Sequence, residues 1–290
     1  MSLLRNIMPY NIFFDTETTG IEAEDQIIQI GAIITDTKGE LYKKGVYDEL
    51  CSSKIPIKLQ AMSTHGIREE ELIGKPEFKK TEFWSELNDL NDGDNYLIAH
   101  NLPFDLGMLE KHGFKNQCQI IDTLKCAMHL FDVKVPHASA GINQIDLIEE
   151  EILDPNNNIV PNYKLQTFRY KLFSKNDEEK EAIKYGVEIK AHDAIGDVLI
   201  LKMFLKSLFF KAKEKYGLQN SEVMNKLVKL SSEPVKLTMF LFGKYKGMSF
   251  EDVLHSDRGY LEWLLREQDK MGEKCDQNLR HTLLEILKMK

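Results

Sequence analysis

Cysteine is scarce and unpatterned. Cys51, Cys118, Cys126 and Cys275 form neither a CxxC pair nor a dense framework, which excludes a disulfide-built scaffold and suits a reducing cytosol. No run approaches the roughly 18 uninterrupted apolar residues of a membrane span, and Met1 to Tyr10 is too short and too broken by polar residues for a signal peptide. Low-complexity tracts and internal repeats are also missing. So is a basic excess: 38 Lys and Arg stand against 46 Asp and Glu, a net charge of −8. That argues against broad coating of nucleic acid, which needs a basic footprint. It leaves room for an enzyme that grips a few phosphates through cations bound in an acidic pocket. The deficit is uneven, because Lys236 to Lys290 holds 10 basic and 9 acidic residues, or +1, and the rest holds 28 and 37, or −9. What is present is an ordinary globular composition, 42% hydrophobic and 29% charged, long enough at 290 residues for one large α/β domain and a smaller appendage.

The apolar run Asn11 to Phe14 leads into Asp15-Thr16-Glu17-Thr18-Thr19-Gly20, so a buried strand delivers two acids to the edge of its sheet. Side chains alternate along a strand, which sets Asp15 and Glu17 on one face. Like charges there repel unless something positive lies between them. The plainer alternative is a polar strand end with Thr18-Thr19-Gly20 as turn chemistry.

Further strands are predicted over 26–36 and 40–50, joined by a hairpin turn at 36–39. Short helical stretches follow at 57–62 and 68–72, with a longer helix over 78–90. A strand at 96–100 leads to a helix through Leu106, Leu109 and Glu110, and a strand at 119–122 to a helix over 123–131. Val133 to Asn162 breaks the rhythm as an insertion, with a helix over 142–153 and loop sequence at Asp154-Pro155-Asn156-Asn157-Asn158. Helices at 164–173 and 177–189 precede a long one from Asp193 to about Tyr216, whose Val198, Leu201, Leu205 and Leu208 share a buried side. A linker helix at 218–235 then gives way to a small second domain. There a strand at 237–242, a turn at 243–247 and helices through 260–266 and 276–287 are predicted.

Two more motifs carry ionisable residues. His100-Asn101-Leu102-Pro103-Phe104-Asp105 follows a strand and opens a helix, placing Asp105 where open α/β sheets bind ligands. A helix-start acid complementing the helix dipole is the rival reading. His192-Asp193-Ala194-Ile195-Gly196-Asp197 sets a histidine before a helix and an acid about one turn into it. In the tail, Lys244 and Lys246 flank Tyr245 between two glycines. They form either a cationic grip on a nucleic-acid backbone or a plain hairpin with solvated lysines.

Asp15-x-Glu17, Phe104-Asp105 and His192-x4-Asp197, in that order, resemble the DEDDh (DnaQ-like) 3′→5′ exonuclease family, which includes the bacterial polymerase proofreading subunit, RNase T and oligoribonuclease. Phe240 to Gly247 and Asp257 to Leu264 look like the small C-terminal domain of exodeoxyribonuclease X. The resemblance implies an RNase H-like α/β domain over 1–217, a mixed sheet flanked by helices, with a small α+β domain at 236–290. It implies metal-dependent hydrolysis of DNA from 3′ ends, preferentially single-stranded, releasing nucleoside monophosphates in repair or trimming. Two divalent ions, Mg²⁺ or Mn²⁺, would be held by Asp15, Glu17, Asp105 and Asp197, oxygen ligands of the kind these ions favour. His192 would be the general base, since imidazole titrates near neutrality. Thr18, Ile21, His65, Asn101 and Phe104 would hold the terminal nucleotide. Ile21 and Phe104 would either pack on bases of any identity or belong to the core. Two alternatives stay open. One is an RNA exonuclease of the RNase T or oligoribonuclease kind, and the other is a proofreading subunit or inactive binder acting beside a DNA polymerase. A cytoplasmic location and no membrane partner are expected.

Overall fold

The computed structural model describes residues 8–136, 142–154, 157–189 and 193–288. In chain order the elements are β1 (Tyr10–Thr18), β2 (Ile27–Asp36), β3 (Leu41–Leu50), α1 (Leu59–His65), α2 (Glu82–Asp89), β4 (Tyr96–Ala99), α3 (Leu102–Lys111), β5 (Gln119–Asp122) and α4 (Thr123–Leu130). There follow β6 (Asp132–Val133), α5 (Ile142–Leu153), β7 (Ile159–Val160), α6 (Leu165–Leu172), α7 (Lys175–Tyr185), α8 (Ala194–Tyr216), α9 (Asn220–Ser232), α10 (Phe250–Ser256), α11 (Arg258–Met271) and α12 (Gln277–Lys288). Two compact units divide the chain: Met1–Leu124 with Phe173–Phe210, and Lys125–Leu172 with Lys211–Lys290.

The first unit is built on a five-stranded sheet of order β3-β2-β1-β4-β5. β1, β2 and β3 form the antiparallel meander, while β4 and β5 run parallel to β1. This is the mixed RNase H-like sheet, flanked by helices on both faces. On one face Ile12 and Phe14 join Leu97 and Ala99 of β4, Phe83 and Leu87 of α2, and Leu102, Met108 and Leu109 of α3. The other face receives α8, and Gly31 of β2 sets how close it comes. A Cβ at Gly31 would stand 2.4 Å from the Ala194 carbonyl carbon and 2.5 Å from the Ile195 nitrogen, so only glycine lets the first turn of α8 rest on the strand. β3, one of the two edge strands, carries Lys43 and Lys44, charges that discourage pairing with another chain.

Several predicted elements differ in detail. The helix expected over 78–90 is a 3₁₀ turn, Phe78–Lys80, followed by α2. Thr81 divides them, its hydroxyl donating to the Phe78 carbonyl at 2.7 Å and accepting the Trp84 N–H at 3.2 Å. The charged helix expected to begin at Asp177 begins earlier, because Ser174 and Asp177 form a capping box, and it ends at Gly186 in the left-handed conformation.

In the second unit the parallel pair β6–β7 closes the base of the 133–162 insertion, with α5 between. The strand expected at 237–242 makes only one bridge, Met239 to Ser249, among the described residues. Phe240 is instead buried in a helical cluster with Phe250, Val253, Leu261, Leu264, Leu279 and Leu283. Beyond the two expected helices the tail has a third, α10, which Ser249 caps by accepting the Asp252 N–H at 3.0 Å. Among the described residues no helix is long and apolar enough to cross a membrane.

Candidate active site

β1 pairs with β4 only from Asn11 to Phe13, because β4 stops at Ala99. Beyond that point the strands part, leaving β1 with backbone N–H groups that need other partners. Asp105, buried in the first turn of α3, meets one of them: its Oδ1 accepts the Thr16 N–H at 3.1 Å and the Thr16 hydroxyl at 2.6 Å. The helix-start position and the placement at the site are therefore one arrangement.

Asp15 and Glu17, both half-buried, share the opposite face, next to Gly31 and Gln29 of β2 in the strand register. Since Gly31 has no side chain, α8 enters beside Asp15. Asp197, in its first turn, then acts electrostatically on both β1 acids. Burial, followed by the charges of Asp105, Glu17 and Asp197, holds the Asp15 carboxyl well above its ordinary range. Burial, followed by Asp197, Asp105 and Asp193, pushes Glu17 up to about 8. Asp105 rises to about 7, burial outweighing the Thr16 hydrogen bonds that favour its charged form.

Such a set of crowded oxygen donors suits a hard divalent cation. Among the described residues no three His, Cys, Asp or Glu side chains are arranged as ligands of one ion. With Asp105 Oδ1 directed at Thr16, the acids must turn toward one another to share a cation. Carboxylate oxygens are the donor type that divalent ions take.

His192 lies outside the described residues. Its neighbour Asp193 is tied to the sheet: Gln29 Nε2 donates to Asp193 Oδ1 at 3.0 Å and to Asp48 Oδ1 at 2.8 Å.

The expected nucleotide-binding residues fall into two groups. Thr18 and His65 meet directly. The Ile67 N–H donates to His65 Nδ1 at 3.0 Å, so the ring proton sits on Nε2, which donates to the Thr18 carbonyl at 3.3 Å. Burial lowers the His65 pKa, favouring this neutral form. Ile21 projects from the following loop at 79% exposure, which rules out core packing for it. That loop is organised by buried Asp25. Its carboxylate accepts the Thr19 hydroxyl at 2.8 Å and the Glu22 N–H at 2.7 Å, and pairs with Lys58 at 2.6 Å. Phe104 is half-buried, packed in part against the core. Asn101 takes a left-handed conformation at φ +70°, its N–H donating to Asp122 Oδ1 at 3.1 Å and its side chain exposed.

Thr16, Asp25, Gln29, Gly31 and Asp122 therefore shape the site without having been singled out in the sequence. Only Gly31 had a local signal, a glycine inside a strand pattern, which marks a close backbone approach.

A DNA polymerase III of PolC type from Bacillus cereus is 32% identical over 130 residues, 41% of this chain and 8% of that one. The chain thus spans under a tenth of that relative's length. Exodeoxyribonuclease 10 of Escherichia coli is 24% identical over 271 residues, 93% of this chain and 96% of that one. A solved structure of exonuclease X in complex with 5′-overhanging duplex DNA aligns with a TM-score of 0.43 and 18% identity, over 75% of this chain and 99% of that one. Residues 240–269 match the family model described as Exodeoxyribonuclease X-like C-terminal. The model described as Exonuclease matches residues 12–158, half of the 290, including β1 with Asp15 and Glu17 and α3 with Asp105, and by that match the chain belongs to the exonuclease family.

Proposed function

We propose that this protein is a metal-dependent 3′→5′ exonuclease that hydrolyses DNA phosphodiesters, preferentially at single-stranded ends, and releases nucleoside monophosphates. What carries the reading is the meeting of acids from three separated motifs, Asp15 and Glu17, Asp105, and Asp197, where β1 and β4 part. These four would hold two divalent ions, Mg²⁺ or Mn²⁺, which when bound stabilise charge on the attacking and leaving oxygens of an in-line displacement.

The chain's own groups do the rest. Thr16 fixes Asp105, and Gly31 admits the turn that carries Asp197. Thr18, Ile21, His65, Asn101 and Phe104 position the terminal nucleotide, with Ile21 offering an exposed apolar contact that is tolerant of base identity. His192 takes a proton from the attacking water. In this reading residues 1–217 do the chemistry, 218–235 link, and 236–290 form an accessory domain, as the separate family matches at 12–158 and 240–269 favour. Four cysteines outside any disulfide suit action in the cytoplasm. The PolC-type relative favours a second reading, proofreading beside a DNA polymerase.

The test is degradation of matched 5′-labelled DNA and RNA oligonucleotides, single- and double-stranded, with Mg²⁺ or EDTA. The expected result is a ladder of DNA shortened from the 3′ end that is absent with EDTA and in Asp15→Ala. His192→Ala should bind the strand normally and turn over at least about 100-fold more slowly. RNA-only ladders would transfer the assignment to an RNA exonuclease. Intact binding without cleavage of either polymer would leave an interaction module.

A further inference from the structure

None of the residues placed in the site above lies between 236 and 290, yet this stretch has its own organisation around one carboxylate. Asp257 caps α11, its Oδ1 accepting the Tyr260 N–H at 3.1 Å. Its Oδ2 accepts the Tyr245 hydroxyl at 2.5 Å and pairs with Lys244 at 3.1 Å. The Lys244 ammonium also lies 4.5 Å from the Tyr245 ring centre and 5.0 Å from that of Tyr260. The Gly243 to Gly247 turn is thereby stapled to the start of α11, and Lys244 is committed to that staple.

What the staple supports is a run of rings. Phe242, Phe240, Tyr260 and Trp263 follow one another at centroid separations of 5.8, 6.0 and 5.6 Å. The middle is anchored, since Phe240 is buried and stacks on Phe250 at 4.0 Å. The ends are not: Phe242 is 44% and Trp263 47% exposed.

The charges around these rings are unevenly committed. Glu262 pairs with Arg258, Glu267 with Lys270, and Asp269 with Arg280. Among the described residues Arg266, one turn after Trp263, and Lys246 make no ion pair. Exposed π faces beside uncommitted cations, in a stretch whose 10 basic and 9 acidic residues give +1 within an acidic chain, complement a polyanion that carries aromatic bases.

We propose that Trp263 and Phe242, with Arg266 and Lys246, form a stacking surface for single-stranded nucleic acid, distinct from the acidic site. The rings take bases of any identity, and the cations take phosphates. The proposal rests on the exonuclease reading for the source of the strand, and its test separates the two.

The full-length protein is titrated, in EDTA, into 5′-fluorescein-labelled dT30 and followed by anisotropy. Trp263→Ala is expected to weaken binding about tenfold, with Trp263→Phe, which keeps a π face, recovering most of the loss. Arg266→Ala is expected to flatten the salt dependence. In parallel, hydrolysis of thymidine 5′-monophosphate p-nitrophenyl ester with Mn²⁺ should be the same in all variants, showing that they fold. Unchanged dT30 affinity in the Trp263→Ala, Phe242→Ala double variant overturns the surface, even where the ester is hydrolysed and the exonuclease reading stands. An ester left intact by the unsubstituted protein too, with dT30 binding weakened in that variant and its circular dichroism and melting temperature unchanged, supports the surface while removing the exonuclease reading. Conversion of a dimer to a monomer in sedimentation, with affinity unchanged, would overturn the proposal in favour of a self-association face.

Discussion

At the scale of single residues, catalysis and stability pull in opposite directions at Glu17. Its carboxyl is pushed up to about 8, by burial first and then by neighbouring acids, so ionising it in the folded state works against folding. Between pH 4.5, its ordinary value, and about 8, the folded state holds a proton that the unfolded state has released, and stability falls as pH rises through that window. Glu17→Gln keeps the shape without the charge. In the metal-free protein it should raise the melting temperature at pH 8, by an increment on the order of 1–3 kcal/mol, and by little at pH 5. The same variant should lose hydrolysis. An unchanged or lower melting temperature at pH 8 would show that the crowded carboxylates carry no such cost. The acids themselves were legible in the sequence because strand alternation and helix starts fix their faces locally. Thr16 and Gln29 were not, because their roles depend on Asp105 and Asp193, 89 and 164 residues away.

At the scale of elements, the placement of α8 against β2 is the contact on which the position of Asp197 depends. Gly31→Ala would force backbone apart, since the new Cβ would sit 2.4 Å from the Ala194 carbonyl carbon. Neither strand nor helix can yield by rotating a side chain. A loss of roughly 1–3 kcal/mol is expected, together with a fall in kcat larger than any change in KM, as Asp197 shifts. Gly107→Ala is the control, because a Cβ on that α3 glycine meets nothing within 4 Å, and helix propensity predicts a neutral or slightly stabilising change. Equal effects from both alanines would remove the close-approach argument. Elements were legible where periodicity was long, as in α8, or where a strand alternates with its helix, as from β4 to α4. The run 237–242 misled because its apolar pattern suits a strand, but a strand needs a partner, and Phe240 finds helices instead.

At the scale of the whole molecule, charge sets how a nucleic acid can be held. Outside 236–290 the chain carries −9, a field that repels a phosphate backbone over a Debye length of about 10 Å at 0.1 M salt. In the proposed reading grip comes from local contacts: divalent cations at the acids, exposed Ile21, and the few uncommitted basic residues of the tail. Each phosphate neutralised on a single strand contributes about −0.7 to the slope of log K against log salt. With Ca²⁺ in place of Mg²⁺, an accepted way to allow binding while slowing hydrolysis, the slope for dT30 should be no steeper than about −3, equivalent to roughly four phosphates. Adding EDTA should weaken binding by removing the cations, whereas raising monovalent salt should weaken it only modestly. A slope of about −5 or steeper, independent of divalent ions, would require some seven phosphates to be met by side chains alone. A molecule of this charge could meet that requirement only through a concentrated basic track, and the tail residues named above are too few to supply one.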